Sequence, residues 1–190
     1  MKDAQIPQLS DQEINDGLLS ARSSARHRHP KLLHNPGDEF NRVFNFIMQD
    51  SYMQPHLHPG DEKIEGIYLV QGKIAVLFFD DQGAVTELVL LEKGGIECVK
   101  IPAFSWHTYV MFSENAISYE TMMGRYEPKT WKEFAEWAPP EKSPESLTYL
   151  NFLKEEAAKR MDGRQSELLW RDQNNTKQGN MRDHASVEPH

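Results

Sequence analysis

What is scarce in these 190 residues narrows the field. There is one cysteine, Cys98, so no internal disulfide can form and the disulfide-stapled secreted class is set aside. Apolar runs are short. The stretch 74–79, IAVLFF, falls well below the roughly 18 residues that a membrane span needs. The first sixteen residues hold no apolar segment, and no secretory signal is expected. Positive charge is also in deficit: 21 Lys and Arg against 29 Asp and Glu give a net charge of -8. An acidic surface repels phosphate backbones, so nucleic-acid binding is not expected. Hydrophobic residues make up only 38 %, low enough to imply that part of the chain is solvated. These deficits together predict a cytoplasmic protein with one domain and appended arms.

What is present falls into four stretches. Residues 1–40 read as an N-terminal arm with a short helix. Ser10-Asp11-Gln12-Glu13 is a capping box, Leu9 and Ile14 occupy the staple positions, and the helix runs from 11 to about 22. Gly17 is expected to weaken it. Pro30 and Pro36 mark an extended connection. Residues 41–128 turn to short β-branched and aromatic runs, with Asp80-Asp81-Gln82-Gly83 joining two of them as a hairpin. Many short strands at close spacing predict an all-β sandwich or barrel. Residues 129–170 read as a helical extension. Thr130-Trp131-Lys132-Glu133 is a second capping box, opening a helix that stops at Pro139-Pro140. A further helix starts near Ser143-Pro144, with Leu147, Leu150, Leu153, Ala157 and Met161 on one face. Residues 171–190 are polar and read as a disordered tail.

The chemistry centres on 51–66, SYMQPHLHPGDEKIEG. On a strand, alternate side chains share a face, so His56 and His58 point the same way. In the next strand Glu65, Ile67 and Leu69 share a face, which aims a carboxylate where isoleucine and leucine point. A buried charge is costly unless it is paired or bound to metal. His107, well downstream, heads another strand. Three histidines and one glutamate from three strands can close on one divalent ion and leave positions for water or substrate. The alternative is a polar patch on a strand edge. His27-Arg28-His29 offers an internal control: it is also a His-x-His, but arginines flank it and no spaced glutamate follows. That second pair reads as solvated or phosphate-facing.

The segments PHLHPGDEKIEGIYLVQG (55–72) and GIECVKIPAFSWHTYVMFSEN (95–115) resemble the two motifs of the cupin superfamily. More narrowly, MQPHLHP, Lys63-x-Glu65, LFFDDQG, IPAFSWHTYV and WKEFAEWAPPE resemble the WbuC-type cupin metalloproteins. The resemblance covers about residues 18–141. It implies an all-β, jelly-roll type cupin β-barrel with a short N-terminal helical arm and C-terminal helices. It also implies a divalent transition metal (iron, zinc, nickel, manganese or cobalt) held by His56, His58, Glu65 and His107. The family name is associated with bacterial O-antigen and surface-polysaccharide biosynthesis. The expected function is therefore a metal-dependent enzyme, an isomerase, epimerase or oxygenase, acting on a small carbohydrate or sugar nucleotide. The alternatives are a non-catalytic metal-loaded binding or sensing module, and a barrel with a vestigial site and an interaction role. A homodimer is also expected.

Two departures from the family pattern stand out. Glu62 competes with Glu65 as the carboxylate ligand, and the spacing to Gly72 favours Glu65. Phe104 stands where the second motif usually has glycine, which puts the local turn in question. Glu62 and Tyr109 are the candidates for moving protons. Tyr109, Met111, Tyr119 and Met122 are candidates for lining a substrate pocket, with core packing as the competing reading. Cys98 reads as a small buried hydrophobe. The basic stretch 21–31 reads as a solvated arm that would hold an anionic group if it folded over the barrel mouth. Trp131, Phe134 and Trp137 read as one packed helix face.

Overall fold

The structure, a computed structural model, describes residues 6–163. The chain divides into two compact units, 1–154 and 155–190. In the smaller unit residues 155–163 are helical, and the expected tail at 171–190 lies outside the described residues.

The larger unit opens with helix α1, Asp11–Ser23, capped as its sequence dictates. The Ser10 hydroxyl accepts from the Glu13 amide, and the Glu13 carboxylate accepts from the Ser10 amide at 2.9 Å. Ten strands follow: β1 (Arg28–Leu32), β2 (Phe40–Met48), β3 (His56–Leu57), β4 (Glu65–Gln71), β5 (Lys73–Phe79), β6 (Val85–Glu92), β7 (Cys98–Ile101), β8 (His107–Met111), β9 (Asn115–Met123) and β10 (Glu133–Phe134). They form two five-stranded sheets, β1-β2-β9-β4-β7 and β10-β3-β8-β5-β6. Every pairing is antiparallel. The chain changes sheet at most of its connections, which makes the arrangement a jelly roll. At one of these, β4 to β5, Gly72 has φ +86, and an added Cβ would lie 2.5 Å from the Asn115 carbonyl oxygen. Glycine is required there on both counts. The predicted β5–β6 hairpin is present, with Asp80 Oδ1 accepting from the amides of Gln82 and Ala84.

Two apolar layers result. Between the sheets, Ile47, Ile67, Leu69, Ile101 and Ala116 of the first sheet meet Ile74, Val76, Leu91, Tyr109 and Met111 of the second. On the outer face of the first sheet, α1 covers Phe44, Phe46, Met48, Ile117 and Tyr119, with Leu9, Ile14 and Leu18 packed against that cluster. Gly17 has a use beyond the expected weakening. It faces Phe46, and a Cβ at 17 would lie 2.4 Å from that ring. The small residue lets the helix sit close to the sheet.

Four readings need correction. The 130–138 segment is not a helix. Glu133 and Phe134 pair with Leu57 and His56 as strand β10, and the Ala135 amide donates to the Pro55 carbonyl. A stretch cut short by Pro139-Pro140 is too brief for a helix to stand alone, and pairing with the sheet edge outweighs its capping signal. Trp131, Phe134 and Trp137 accordingly spread over three places instead of one face: beside His58, beside His56, and between Phe79 and Trp106. Cys98 is exposed, because it opens edge strand β7 with its side chain turned out. Pro30 sits within β1, an edge strand, where its missing N–H costs no ladder bond. Residues 146–154 are helical, with Leu150 and Leu153 buried, while Leu147 is exposed.

Candidate metal centre

β3 and the residue just after it, β4 and β8 deliver four side chains to one point between the sheets. His56, His58, Glu65 and His107 each offer a ligand atom, these atoms lie within 4.8 Å of one another, and all four residues are buried. The alternation argument for β4 holds: Glu65, Ile67 and Leu69 are buried while Ile64 is exposed. β3 is antiparallel to β8 with His56 directly opposite His107.

Each imidazole is oriented by a backbone carbonyl. His56 Nδ1 meets the Gln54 oxygen at 3.0 Å, His58 Nδ1 the Trp131 oxygen at 2.7 Å, and His107 Nδ1 the Ser105 oxygen at 2.8 Å. A carbonyl only accepts, so Nδ1 carries the proton in all three rings and Nε2 presents a lone pair inward. Two of the inward atoms then face an acceptor. His107 Nε2 lies 3.0 Å and His58 Nε2 3.3 Å from Glu65 Oε2, and His58 Nε2 is buried with no hydrogen-bond partner. Lone pairs facing a carboxylate at such distances repel unless a cation lies among them. Separations of about 3.0–3.4 Å are what two ligands at about 2.1 Å from one metal would show. The donor set therefore fits a divalent ion, and this buried group can bind one.

The electrostatics agree. Burial pushes the His56 imidazole well below its ordinary value, helped by the positive charge of Lys132, so the ring stays neutral. Burial opposes ionisation of Glu65. With Nε2 unprotonated, a cation among the four groups would supply the positive charge that holds the carboxyl ionised well below its ordinary value against that burial.

A strap from the 130s closes the site. Lys63 is buried and donates to the Thr130 carbonyl at 2.8 Å, with its ammonium 5.3 Å from the Trp131 ring centre. Lys63 thus holds the segment whose carbonyl orients His58. Next along the strap, Lys132 Nζ lies 3.0 Å from His56 Nε2.

Beside the four residues opens a cavity of about 400 Å³, whose walls include His58, Glu65, Tyr109, Glu120, Met122 and Lys132. Of the four pocket candidates, Tyr109 and Met122 line it. Met111 does not, because it lies deeper along β8 in the core between the sheets. Nor does Tyr119, which by alternation on β9 faces the α1 side. Glu62 is exposed and outside the ligand group; it sits in a surface turn beside Gly60 and Gly124.

Glu120 and Lys132 join the cavity wall without belonging to either histidine motif. Glu120 accepts from Asn45 Nδ2 at 2.6 Å, Ser118 Oγ at 2.7 Å and the Tyr109 hydroxyl at 3.1 Å. Burial, and then the charge of Glu65, raise its carboxyl above the ordinary value. Burial and Glu120 likewise push the Tyr109 phenol well above its ordinary value. Glu120 was legible by the rule that found Glu65: on β9 it shares a face with Ser118 and Met122, a charge where the pattern points inward. Lys132 carries no such signal, since its segment has the pattern of a helix start.

The two-sheet jelly roll with this buried His-His-Glu-His group is of the cupin fold. The profile of a family described as "Domain of unknown function (DUF6016)" matches residues 9–91, a span that stops short of β8 and His107. No curated protein matches the chain. Among solved structures, the chain is similar to the oxalate decarboxylase of Lactobacillus farciminis in its formate complex, at 18% identity and TM-score 0.41, over 51% of this chain and 27% of that one. It is similar to the capsular polysaccharide assembling protein CapF of Staphylococcus aureus at 18% identity and TM-score 0.45, over 56% of this chain and 33% of that one. It is also similar to KdgF from Halomonas sp. at 19% identity and TM-score 0.42, over 54% and 83%. The chain thus spans about a quarter to a third of the length of the first two. Among the described residues no helix is long and apolar enough to cross a membrane.

Proposed function

We propose that this protein is a metal-dependent enzyme acting on a small carbohydrate or sugar nucleotide, with a divalent transition metal held by His56, His58, Glu65 and His107. The observation that carries the reading is the fixed tautomer of three buried imidazoles, whose Nε2 atoms converge on a buried carboxylate at the wall of a cavity. When bound, the metal supplies Lewis-acid polarisation of a substrate oxygen. The chain's own residues do the rest. The carbonyls of Gln54, Trp131 and Ser105 keep the imidazoles aimed. The apolar layer between the sheets keeps bulk water from the centre. Glu120, with its carboxyl raised towards the neutral form, is the group placed to hold or return a proton at the cavity wall. The likeness of the two histidine motifs to WbuC-type cupins supports placing the reaction in surface-polysaccharide biosynthesis. The cytoplasmic setting and the homodimer belong to the same reading.

The alternative is a metal-loaded module that binds or senses without turnover. It is favoured by Tyr109, whose hydroxyl proton is committed to Glu120 and whose phenol is held in its neutral form by burial and by Glu120. Elemental analysis of protein purified after supplementation with iron, zinc, nickel, manganese or cobalt tests what the two readings share. About one equivalent of a single metal is expected, and less than about a tenth would overturn both.

A further inference from the structure

The cavity beside the metal centre has an unusual charge for this chain. The protein carries a net charge of -8, yet the cavity walls hold three cations, Arg26, Arg28 and Lys132, against two carboxylates, Glu65 and Glu120. Most of these charges are already engaged. Arg28 pairs with Glu141 and donates to the Tyr52 carbonyl. Glu120 is held by three donors, and Glu65 faces the imidazoles. Arg26 is exposed at the mouth, and neither it nor Lys132 forms an ion pair among the described residues. The one close partner of the Lys132 ammonium is His56 Nε2. That nitrogen has a single lone pair, which cannot serve a metal and an ammonium at once. With a cation at the centre, the Lys132 donors must turn to something else.

A second, independent observation lies across the cavity. Asn41 is 7% exposed, and its amide nitrogen donates to the carbonyls of Gly124 and Met122. Its Oδ1 is buried with no partner, and Asn41 lines the cavity wall. A buried acceptor without a donor is costly, and a hydroxyl in the cavity would satisfy it.

We infer that the cavity takes a small hydroxylated acid, its carboxylate or phosphate on Lys132 Nζ with Arg26 at the mouth, and one of its hydroxyls donating to Asn41 Oδ1. The inference rests on the reading of this cavity as the substrate chamber of the metal centre, and it narrows the substrate class from carbohydrates at large to acidic ones. Glu65 and Glu120 attract Lys132 from a distance, so a neutral sugar would leave its ammonium without an anion in direct contact. A plain fatty acid would leave Asn41 without a donor.

Calorimetric titration of the full chain loaded with Zn²⁺ tests this, with D-gluconate, D-glucose 6-phosphate, D-glucose and hexanoate as probes. Saturable binding of gluconate or the sugar phosphate is expected, with glucose at least about tenfold weaker. The first two probes distinguish a carboxylate from a phosphate. Lys132→Met is expected to weaken the favoured acid by about tenfold or more at unchanged zinc content, with Lys132→Arg restoring part of it. Arg26→Ala, on the exposed rim, is expected to weaken the same acid a few-fold. Asn41→Ala is expected to weaken gluconate and leave hexanoate unchanged. The inference is overturned if neither hydroxylated acid binds, if glucose binds as well as they do, or if Lys132→Met binds them like the wild type. Protein that takes up no metal, yet binds these acids through Lys132, would sink the metal reading and leave this one standing.

Discussion

The chain contains the same tripeptide pattern twice, and its two copies ended in different chemistry. His56-Leu57-His58 and His27-Arg28-His29 both place two imidazoles two residues apart. In the first, both rings enter the buried group and both Nδ1 atoms are fixed by carbonyls. In the second, His27 has φ +53, which breaks strand alternation, and its ring pairs at the surface with Asp50 at 3.2 Å. His29 instead packs against Phe46, with ring centres 6.4 Å apart. Between them Arg28 turns inward and pairs with Glu141. Spacing alone therefore does not bring imidazoles together. Backbone acceptors behind the rings and a buried carboxylate in front of them do.

The sharpest way to break this comparison is to remove imidazoles from each pair. His58→Ala and His107→Ala are expected to lower metal affinity by more than about a hundredfold, beyond the loss usual for an outer-shell contact. His27→Ala and His29→Ala should leave it unchanged. Metal content after dialysis against a weak chelator reads this directly, and equal losses from both pairs would erase the distinction.

Next in size is Gly17→Ala, on the side of the fold nearest the outer pair. Alanine favours a helix, but its Cβ would meet the fully buried Phe46 ring at 2.4 Å. Overpacking of this kind costs about 1–3 kcal/mol, more than the gain of about 1 kcal/mol in helix propensity. Chemical denaturation should show the loss, with metal stoichiometry intact.

A smaller effect of opposite sign is expected near the inner pair. Phe104 has φ +59 and a half-exposed ring, while its amide donates to the His58 carbonyl at 3.1 Å. The turn keeps the left-handed geometry that glycine would favour. Phe104→Gly relieves that backbone and gives back part of the gain as chain entropy, for a net stabilisation of about half a kcal/mol.

The smallest expected effect depends on pH. The bond from Lys31, then that from the Ser10 amide, lowers the Glu13 carboxyl from 4.5 to about 2. A folded-state value below the unfolded one means that its contribution is present above pH 4.5 and fades as the pH falls towards 2. The difference in melting temperature between wild type and Glu13→Gln should shrink across that window.

Much of this was written in short-range patterns. The capping box at Ser10, the hairpin at Asp80–Gly83 and the inward face of Glu65, Ile67 and Leu69 all follow from local periodicity and turn chemistry. What failed was non-local. The segment at Trp131 carries a helix-start signal, but its conformation is decided by pairing with β3, more than seventy residues earlier in the chain. No window around Lys132 reveals that its amine reaches His56. Glu120 differs: the alternation that marks Glu65 on β4 marks it equally on β9, where it shares a face with Ser118 and Met122. Met111 and Tyr119 show the limit of residue type as a guide, since a large side chain near the right strand end faces the core as readily as a cavity.

The Trp131 carbonyl bears on how this protein can be shortened or borrowed. His56 and His107 take their orientation from carbonyls two residues away, and would keep it in any fragment that folds. His58 takes its own from a point 73 residues downstream. A scaffold trimmed after β9 would retain all three imidazoles yet leave one free to swivel, so a working artificial metalloprotein cut from this jelly roll must extend at least through Ala135.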